Sequence, residues 1–178
     1  TTDAPGTVVF DIAGGATGTP SVTTTGVQTY NDAALLGLNT FLTSSTALGH
    51  ITFNSTVDTH AAAATFRSLE VNTGANTFFG DGGADNVGLT RALLSLLTDA
   101  PAAANRGGNT TFNSTGAPTV TTTTFQTYND AVVLAKDTVL TSTLGGDVTF
   151  SSTVTGGFNL GVNTAGATRF GNASGFAA

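Results

Sequence analysis

A twelve-residue stretch occurs twice in this chain, and the distance between the copies restricts the folds that the chain can adopt. The first copy reads VTTTGVQTYNDA over residues 22–33, and the second reads VTTTTFQTYNDA over residues 120–131. Matched residues keep a constant offset; Gln126 minus Gln28, for example, gives 98. Internal duplication of this kind is typical of repeat architectures, in which similar units stack along one axis.

The composition favours β-structure. Of the 178 residues, 37 are Thr and 23 are Gly, only 9% are charged, and Cys, Met and Trp are absent. Thr, Val and Phe are common in strands, whereas the helix formers Glu, Lys, Gln and Met are scarce or missing. A hydrophobic content of 39% is too high for a disordered linker. We therefore expect a single all-β domain over residues 1–178.

Aromatic residues recur at the spacing of a parallel β-solenoid. The differences between the numbers of successive members are 20, 23, 25, 34, 16, 22 and 20. Most of these values lie near the length of one coil, roughly 22 residues. The 34 and the 16 together are close to two coils, which indicates one displaced aromatic. The predicted core ladder is Phe10, Tyr30, Phe53, Phe78, Phe112, Tyr128, Phe150 and Phe170.

A second core ladder of Val and Leu lies between the aromatics at a different phase. Two ladders of similar spacing predict at least two flat sheets per coil, with about eight coils in all, and equivalent residues stacked about 4.8 Å apart. The helix-like run RALLSLL at residues 91–97 is interpreted as a strand, because Leu97 is in phase with this ladder. The predicted members are Val22, Leu42, Val71, Leu97, Val120, Leu140 and Val162.

The duplication extends well beyond the twelve-residue motif. ITFNSTV at residues 51–57 corresponds to VTFSSTV at 148–154, and LEVNTGANTFFG at 69–80 corresponds to LGVNTAGATRFG at 160–171. These matches predict a super-repeat of about 98 residues and four coils. We therefore expect both copies of the motif to occupy the same place in the coil.

The first copy of this super-repeat spans approximately residues 7–104, and the second spans approximately residues 109–178. The part of the repeat that would follow residue 178 corresponds to the N-terminal start of the chain. The opening TTDAPG matches LTDAPA at residues 97–102, and the final FGNASGFAA at residues 170–178 matches FGDGGADNV at residues 79–87, so the chain ends near the repeat phase at which it begins. We therefore expect uncapped ends, with either further identical units or end-to-end stacking.

The strings TTTGVQTYNDA, LTSTLGGDVTFSSTV and LGVNTAGATRFG resemble the Thr/Gly-rich repeats of bacterial surface proteins of the filamentous-haemagglutinin-like and autotransporter-passenger type. The resemblance covers nearly the whole chain. It implies a right-handed parallel β-helix with an extracellular or cell-surface location and no active site. We accordingly expect a non-enzymatic structural or adhesive segment without a cofactor, whose partners are further copies of itself and a host surface or glycan.

Charge excludes some other partners. The net charge is −6 and the five basic residues are scattered, whereas nucleic-acid binding needs clustered Lys and Arg. No apolar run reaches the roughly 18 residues of a transmembrane helix, so membrane insertion is not expected.

Polar residues that could carry chemistry are better interpreted as structural. Asp32 and Asp130 recur in the duplicated motif, and Asn-Asp after a strand is a turn signal. The sequence GDGGADN at residues 80–86 occurs once, whereas calcium-binding repeats of this type need tandem copies, so we predict a corner loop without metal. His50 and His60 have no nucleophile or second His at metal spacing, which predicts surface loops.

Threonines in phase with the ladders form the one candidate surface for a ligand. Rows of outward Thr on a flat face are the basis of an alternative function, ice binding, although strand propensity alone explains the enrichment. A carbohydrate-binding or carbohydrate-active β-helix is a weaker alternative, because the charges are dispersed. The candidate surface ladder is Thr23, Thr25, Thr43, Thr73, Thr98, Thr122, Thr124, Thr141, Thr143 and Thr164.

Overall fold

The computed structural model describes residues 6–11, 21–100 and 107–171, and these contain nineteen strands and no helix, hence no helix that could cross a membrane. Both ends of the chain, where uncapped coils were expected, lie outside the described residues. The strands are β1 (Thr7–Phe10), β2 (Val22–Thr24), β3 (Gln28–Tyr30), β4 (Ala33–Leu36), β5 (Thr40–Ser44), β6 (Ile51–Phe53), β7 (Val57–Thr59), β8 (Leu69–Thr73), β9 (Thr77–Phe79), β10 (Leu96–Thr98), β11 (Asn109–Phe112), β12 (Val120–Thr122), β13 (Gln126–Tyr128), β14 (Ala131–Leu134), β15 (Thr138–Ser142), β16 (Val148–Phe150), β17 (Val154–Thr155), β18 (Leu160–Asn163) and β19 (Thr168–Phe170).

Parallel pairing arranges these strands as a three-sided solenoid. Face A holds two three-stranded sheets, β1-β4-β7 and β12-β15-β18, which are joined through backbone bridges from Val87 to Val57 and Val120. Face B runs β2-β5-β8-β10-β13-β16-β19, and face C runs β3-β6-β9-β11-β14-β17. The predicted all-β parallel solenoid is confirmed.

The number of coils is lower than predicted. The seven strands of face B correspond to about six turns, whereas eight were expected. Coils differ in length because corner loops are inserted between strands: Leu140 minus Val120 gives 20, but Thr110 minus Thr77 gives 33. Solenoids tolerate such insertions because the strand register is undisturbed.

Short strands and tight corners follow directly from the sequence. In β5 the alternation of the strand buries Thr40, Leu42 and Ser44, and leaves the residues between them partly exposed. At the corner after β9, Gly80 has a φ of 90°, and a Cβ there would lie 2.6 Å from the Asn113 carbonyl oxygen of the next coil. Only glycine fits such a close approach of two backbones.

The super-repeat is visible in the strands themselves, but its two copies lie on different faces. Strands β1–β9 recur in the same order as β11–β19, with QTY as β3 and again as β13. One unit contains ten strands and the face A segment that bridges at Val87 and Leu93, which makes eleven sides. Because eleven is not a multiple of three, Tyr30 lies on face C and Tyr128 on face B. The expectation that both copies occupy the same place was therefore wrong.

The aromatic residues form one continuous column whose ring centroids are 5.0–5.7 Å apart, and this column changes face twice. Within a face the rings are stacked with interplanar angles of 3–23°. Where the column passes from Phe10 to Tyr30, and from Phe112 to Tyr128, the angles are 75° and 89°. The short sequence interval between Phe112 and Tyr128 is therefore a step from face C to face B.

One member of the predicted aromatic ladder was wrong. Phe79, which is 1% exposed, stacks on Phe53 and Phe112, whereas Phe78 points outward beside the His50 ring. Two adjacent phenylalanines fit the spacing equally well, and only strand alternation decides which enters the core.

The aliphatic ladder also divides between faces. Val22, Leu42 and Val71 stack on face B. On face A the stacked residues are Val120, Leu140 and Val162. Leu97 was wrongly assigned to the core, because Leu96 points inward and Leu97 pairs with the outward Glu70. The interpretation of residues 91–97 as non-helical agrees with β10 and with the bridge at Leu93.

Candidate functional site

The duplicated motif builds a buried hydrogen-bond clip around a glutamine. Gln126 is fully buried, and its Nε2 donates to Thr122 Oγ1 at 3.2 Å and to the Thr141 carbonyl oxygen of the next turn at 2.9 Å. Its Oε1 accepts a hydrogen bond from the Tyr128 hydroxyl at 2.9 Å. Every polar group of this side chain is paired, as burial requires.

The first copy contains the same clip. Gln28 donates to Thr24 Oγ1 at 3.1 Å and to the Thr43 carbonyl at 2.9 Å, and it accepts from the Tyr30 hydroxyl at 2.8 Å. The recurring motif therefore joins consecutive turns of the solenoid and needs no ligand. Sequence analysis placed the tyrosines in the core but missed the glutamine, although its fixed position two residues before each Tyr was a usable signal.

Asp130 lies at the corner between β13 and β14, as the turn signal predicts, but its side chain also binds hydroxyls that are distant in sequence. Its carboxylate accepts from Thr98 Oγ1 at 3.0 Å and from Thr110 Oγ1 at 2.9 Å, both in the preceding turn. Burial raises the pKa of Asp130 above its ordinary value, although the two hydroxyls partly oppose the shift. Burial and then the charge of Asp130 also raise the pKa of Tyr128 well above 10, so that tyrosine stays neutral.

The loop with the sequence GDGGADN is a corner that is held by its own two carboxylates and by backbone hydrogen bonds to the next coil. Asp85 Oδ2 accepts from the backbone N–H of Asp81 at 3.1 Å and of Gly83 at 3.2 Å, and Asp81 Oδ1 accepts from Gly83 at 3.1 Å. Both carboxylates therefore serve the turn. Across the described ranges, no three His, Cys, Asp or Glu side chains are grouped as metal ligands.

The two histidines accept hydrogen bonds from backbone N–H groups, and both are less exposed than predicted. His50 Nδ1 accepts from the Asn76 N–H of the next turn at 3.0 Å, and its ring lies 5.8 Å from that of Phe78. His60 Nδ1 accepts from the Ala62 N–H at 3.2 Å, within the loop after β7. His50 thus lies between turns and His60 lies in a loop as expected, and both side chains are half-buried.

Arg91 fixes the inserted loop after β7. Its guanidinium donates to the carbonyl oxygens of His60, Ala61 and Ala63, and lies 5.6 Å from the centroid of the Phe66 ring. Beside this loop is an open groove of about 290 Å³, lined by Asp11, Gly37, His60, Ala62, Ala63, Ala64 and Arg67. Among these lining residues there is one carboxylate, whereas glycoside hydrolysis ordinarily uses a pair.

The structure does not form the Thr surface that ice binding would need. Thr73, Thr98 and Thr122 of the candidate ladder are fully buried, where their hydroxyls bind carbonyl or carboxylate oxygens. Along the paired strands each outward row contains only two consecutive Thr residues. The residue at the same position of the next coil is Asn, Phe or Arg. The four outward pairs are Thr23–Thr43, Thr29–Thr52, Thr121–Thr141 and Thr127–Thr149.

The last described coil presents an open sheet edge. Strands β18 and β19 each pair on one side only within the described residues, with β15 and β16 respectively. Phe170 stacks on Phe150 at 5.0 Å, yet it remains 64% exposed on its other side. An edge of this kind combines unpaired backbone groups with exposed apolar surface, and both favour the addition of a further coil.

Comparison with family models, with curated proteins and with solved structures gave no match to this chain. Function therefore has to be argued from the geometry above. The repeated clip, the Asp130 cluster and the Arg91 loop all hold turns together, and among the described residues β18 and β19 are unpaired on the side that faces along the axis, as are β1, β2 and β3 at the opposite end.

Proposed function

We propose that this chain is a non-enzymatic structural and adhesive segment of an extracellular or cell-surface repeat protein, and that its units associate head to tail into a longer solenoid. The observation that carries the proposal is the edge of β18 and β19, which has no further strand among the described residues and where Phe170 is 64% exposed at the end of an otherwise buried aromatic column. In a solenoid, each coil is stabilised mainly by its neighbours, so a coil with one neighbour gains from a second.

The repeated register supports axial growth. Within the chain, β9 of the first unit pairs with β11, the first strand of the second unit, without any change in the parallel ladder. The solenoid therefore already contains one junction between units. A junction between two chains would use the same type of contact.

An adhesive role is supported by apolar side chains that project from equivalent corners of the two units. Val27 and Phe125 occupy matched positions before β3 and β13, and are 56% and 43% exposed. Leu48 and Leu144 lie in the corner loops of the following coil and are 80% and 77% exposed. The two units thus expose apolar side chains at matched corners, and these are the surfaces that an adhesive contact would use.

The surface location rests on the resemblance of the repeats to bacterial surface proteins, and the absence of Cys is compatible with an oxidising compartment. The axial assembly can be tested directly with the purified chain. Sedimentation velocity over a range of concentrations should show species above 17.6 kDa, and negative-stain electron microscopy should show particles that lengthen at constant width. A chain that stays monomeric at all concentrations would refute the head-to-tail proposal.

A further inference from the structure

From the open corner at Asn163 and Thr164, we infer the register of the head-to-tail contact: this corner binds the N-terminal segment of a second copy, with Asp3 of that copy in the position that Asp99 has inside the chain. This inference rests on the proposed function, because it specifies how two copies of the chain would join. It identifies both the interaction surface and its partner, a second copy of this chain.

The contact between β8 and the segment that follows β10, which we call the internal junction, shows which hydrogen bonds are needed. At the corner that follows β8, Asp99 N–H donates to the Val71 carbonyl at 2.8 Å, and Asp99 Oδ1 accepts from the Thr73 N–H at 2.9 Å. Asn72 Oδ1 accepts from the Ala100 N–H at 2.8 Å. Three hydrogen bonds therefore join the corner of one coil to the segment Asp99-Ala100 of the next.

The corner that follows β18 has the same internal geometry. Thr164 Oγ1 donates to the Gly146 carbonyl at 2.7 Å and accepts from the Gly166 N–H at 2.9 Å. Thr73 makes the corresponding bonds to the Gly49 carbonyl at 2.7 Å and from the Ala75 N–H at 3.1 Å. The two corners thus present the same groups along the axis.

What differs is the covering coil. Asn72 is 7% exposed beneath Ala100, whereas Asn163 is exposed, and its side chain has no hydrogen-bond partner in the described part of the chain. The corner at Asn163 is therefore a copy of the internal junction for which the described residues contain no covering segment.

The sequence contains that second half once more. Residues 2–5 read TDAP, as do residues 98–101. The aspartate matters because Asp99 has a φ of 51°, a left-handed conformation that Asp adopts more easily than most residues. In the second copy, Asp3 N–H would donate to the Val162 carbonyl, Asp3 Oδ1 would accept from the Thr164 N–H, and Ala4 N–H would donate to Asn163 Oδ1.

The contact also fixes the rotation between the two copies. In the internal junction the receiving strand is β8 on face B, and at the open corner it is β18 on face A. A second copy docked in this register is consequently turned by one face relative to the first, as the two internal units already are.

The test uses two variants that each damage one half of the contact. Asp3→Ala removes the acceptor for Thr164 but leaves the receiving corner intact, and Asn163→Ala does the reverse. Loss of a charge-assisted hydrogen bond should raise the concentration for half-assembly about tenfold or more. Asp11→Ala is the matched control, since Asp11 is an exposed aspartate near the N-terminus of the chain and its loss should leave assembly like that of the wild type.

A 1:1 mixture of the two variants decides the polarity. Near the wild-type half-assembly concentration each variant alone should be monomeric, whereas the mixture should give dimers and no longer species, because only one productive contact can form. Far-UV circular dichroism verifies that both variants are folded. If the wild type assembles and Asp3→Ala assembles equally well, the register is wrong while head-to-tail assembly stands. If the wild type is monomeric, both proposals fail.

Discussion

At the scale of single residues, strand alternation decides which of two adjacent side chains supports the core. Phe79 is buried in the aromatic column, and Phe78 is its outward neighbour. We expect Phe79→Ala to lower the free energy of unfolding by about 3–5 kcal/mol, because truncation leaves a cavity between two rings. Phe78→Ala should cost about 1 kcal/mol or less. Urea denaturation measures both, and equal losses would contradict the assignment.

The glutamine clip makes a second prediction at this scale. Gln126→Leu introduces an apolar side chain of similar size. It leaves the Tyr128 hydroxyl and the Thr141 carbonyl without their buried partner. We expect a loss of about 2–3 kcal/mol in unfolding free energy, from two unsatisfied groups. Gln28→Leu should cost a similar amount, whereas the outward Thr127→Ala should cost little. A neutral Gln126→Leu would show that the clip is dispensable.

The buried carboxylate of Asp130 makes stability depend on pH in an unusual direction. Its pKa is raised in the folded chain, so the stability that it contributes is present below its ordinary value of about 3.8 and is lost as pH rises through the raised pKa. We expect Asp130→Asn to keep the contacts with the two hydroxyls and to remove the loss of stability at rising pH. Its melting temperature relative to the wild type should therefore increase as pH rises from 3.8 to 7.

Asp147 provides the control of opposite sign. Its pKa is lowered, first by the Ala167 N–H and then by Arg169, so its contribution is present above about 3.8 and is lost as pH falls. Asp147→Asn should be less stable than the wild type at pH 7, and this difference should shrink towards pH 3. Parallel behaviour of the two variants would show that burial does not govern Asp130.

At the scale of elements, the sequence predicted the class and order of the strands better than their phase. Duplicated strings located most strands, because inward positions must keep the same residue type in both copies. The predicted inward positions were wrong at Phe78 and Leu97. At both places two similar residues are adjacent, and spacing cannot decide which of them points inward. The outward assignment of Thr98 and Thr122 failed because a hydroxyl can be buried when a carboxylate or a carbonyl oxygen accepts from it.

The number of sides per coil could not be obtained from spacing. Corner loops make some coils much longer than others, so the phase of a ladder does not identify its face. The candidate clip was partly predictable, since the Gln, Tyr and Thr of the motif recur together. The partners of Asp130 were not, because Thr98 and Thr110 are distant from it in sequence and belong to the preceding turn.

Arg91 allows a test of one element, the loop after β7. Its guanidinium makes three carbonyl contacts that cross from the next coil, and among the described contacts no carboxylate pairs with this guanidinium. We expect Arg91→Gln to increase amide hydrogen exchange in residues 61–66 by about tenfold or more while the core strands stay protected. Arg169→Gln, which breaks an exposed ion pair, is the control and should leave this loop unchanged.

At the scale of the whole molecule, the unit of construction is a set of eleven sides. A second copy of residues 22–119 inserted before Val120 adds eleven sides, so every later strand should keep a matching neighbour. Three and two-thirds turns at about 4.8 Å per turn should lengthen the particle by about 18 Å, which X-ray scattering can measure. An insert of residues 25–119 lacks β2 and therefore one side, and it should misfold or aggregate. Equal folding of both inserts would contradict the eleven-side unit.

The turn of one face between units has a consequence for how such an array meets a large target. In an array of identical units, any surface patch returns to the same side only after three units, or eleven whole turns. Copies of the patch therefore point in three directions around the axis, and a fibre lying at any roll angle presents some of them to a flat surface. Weak individual contacts then add by avidity whichever way the fibre lands.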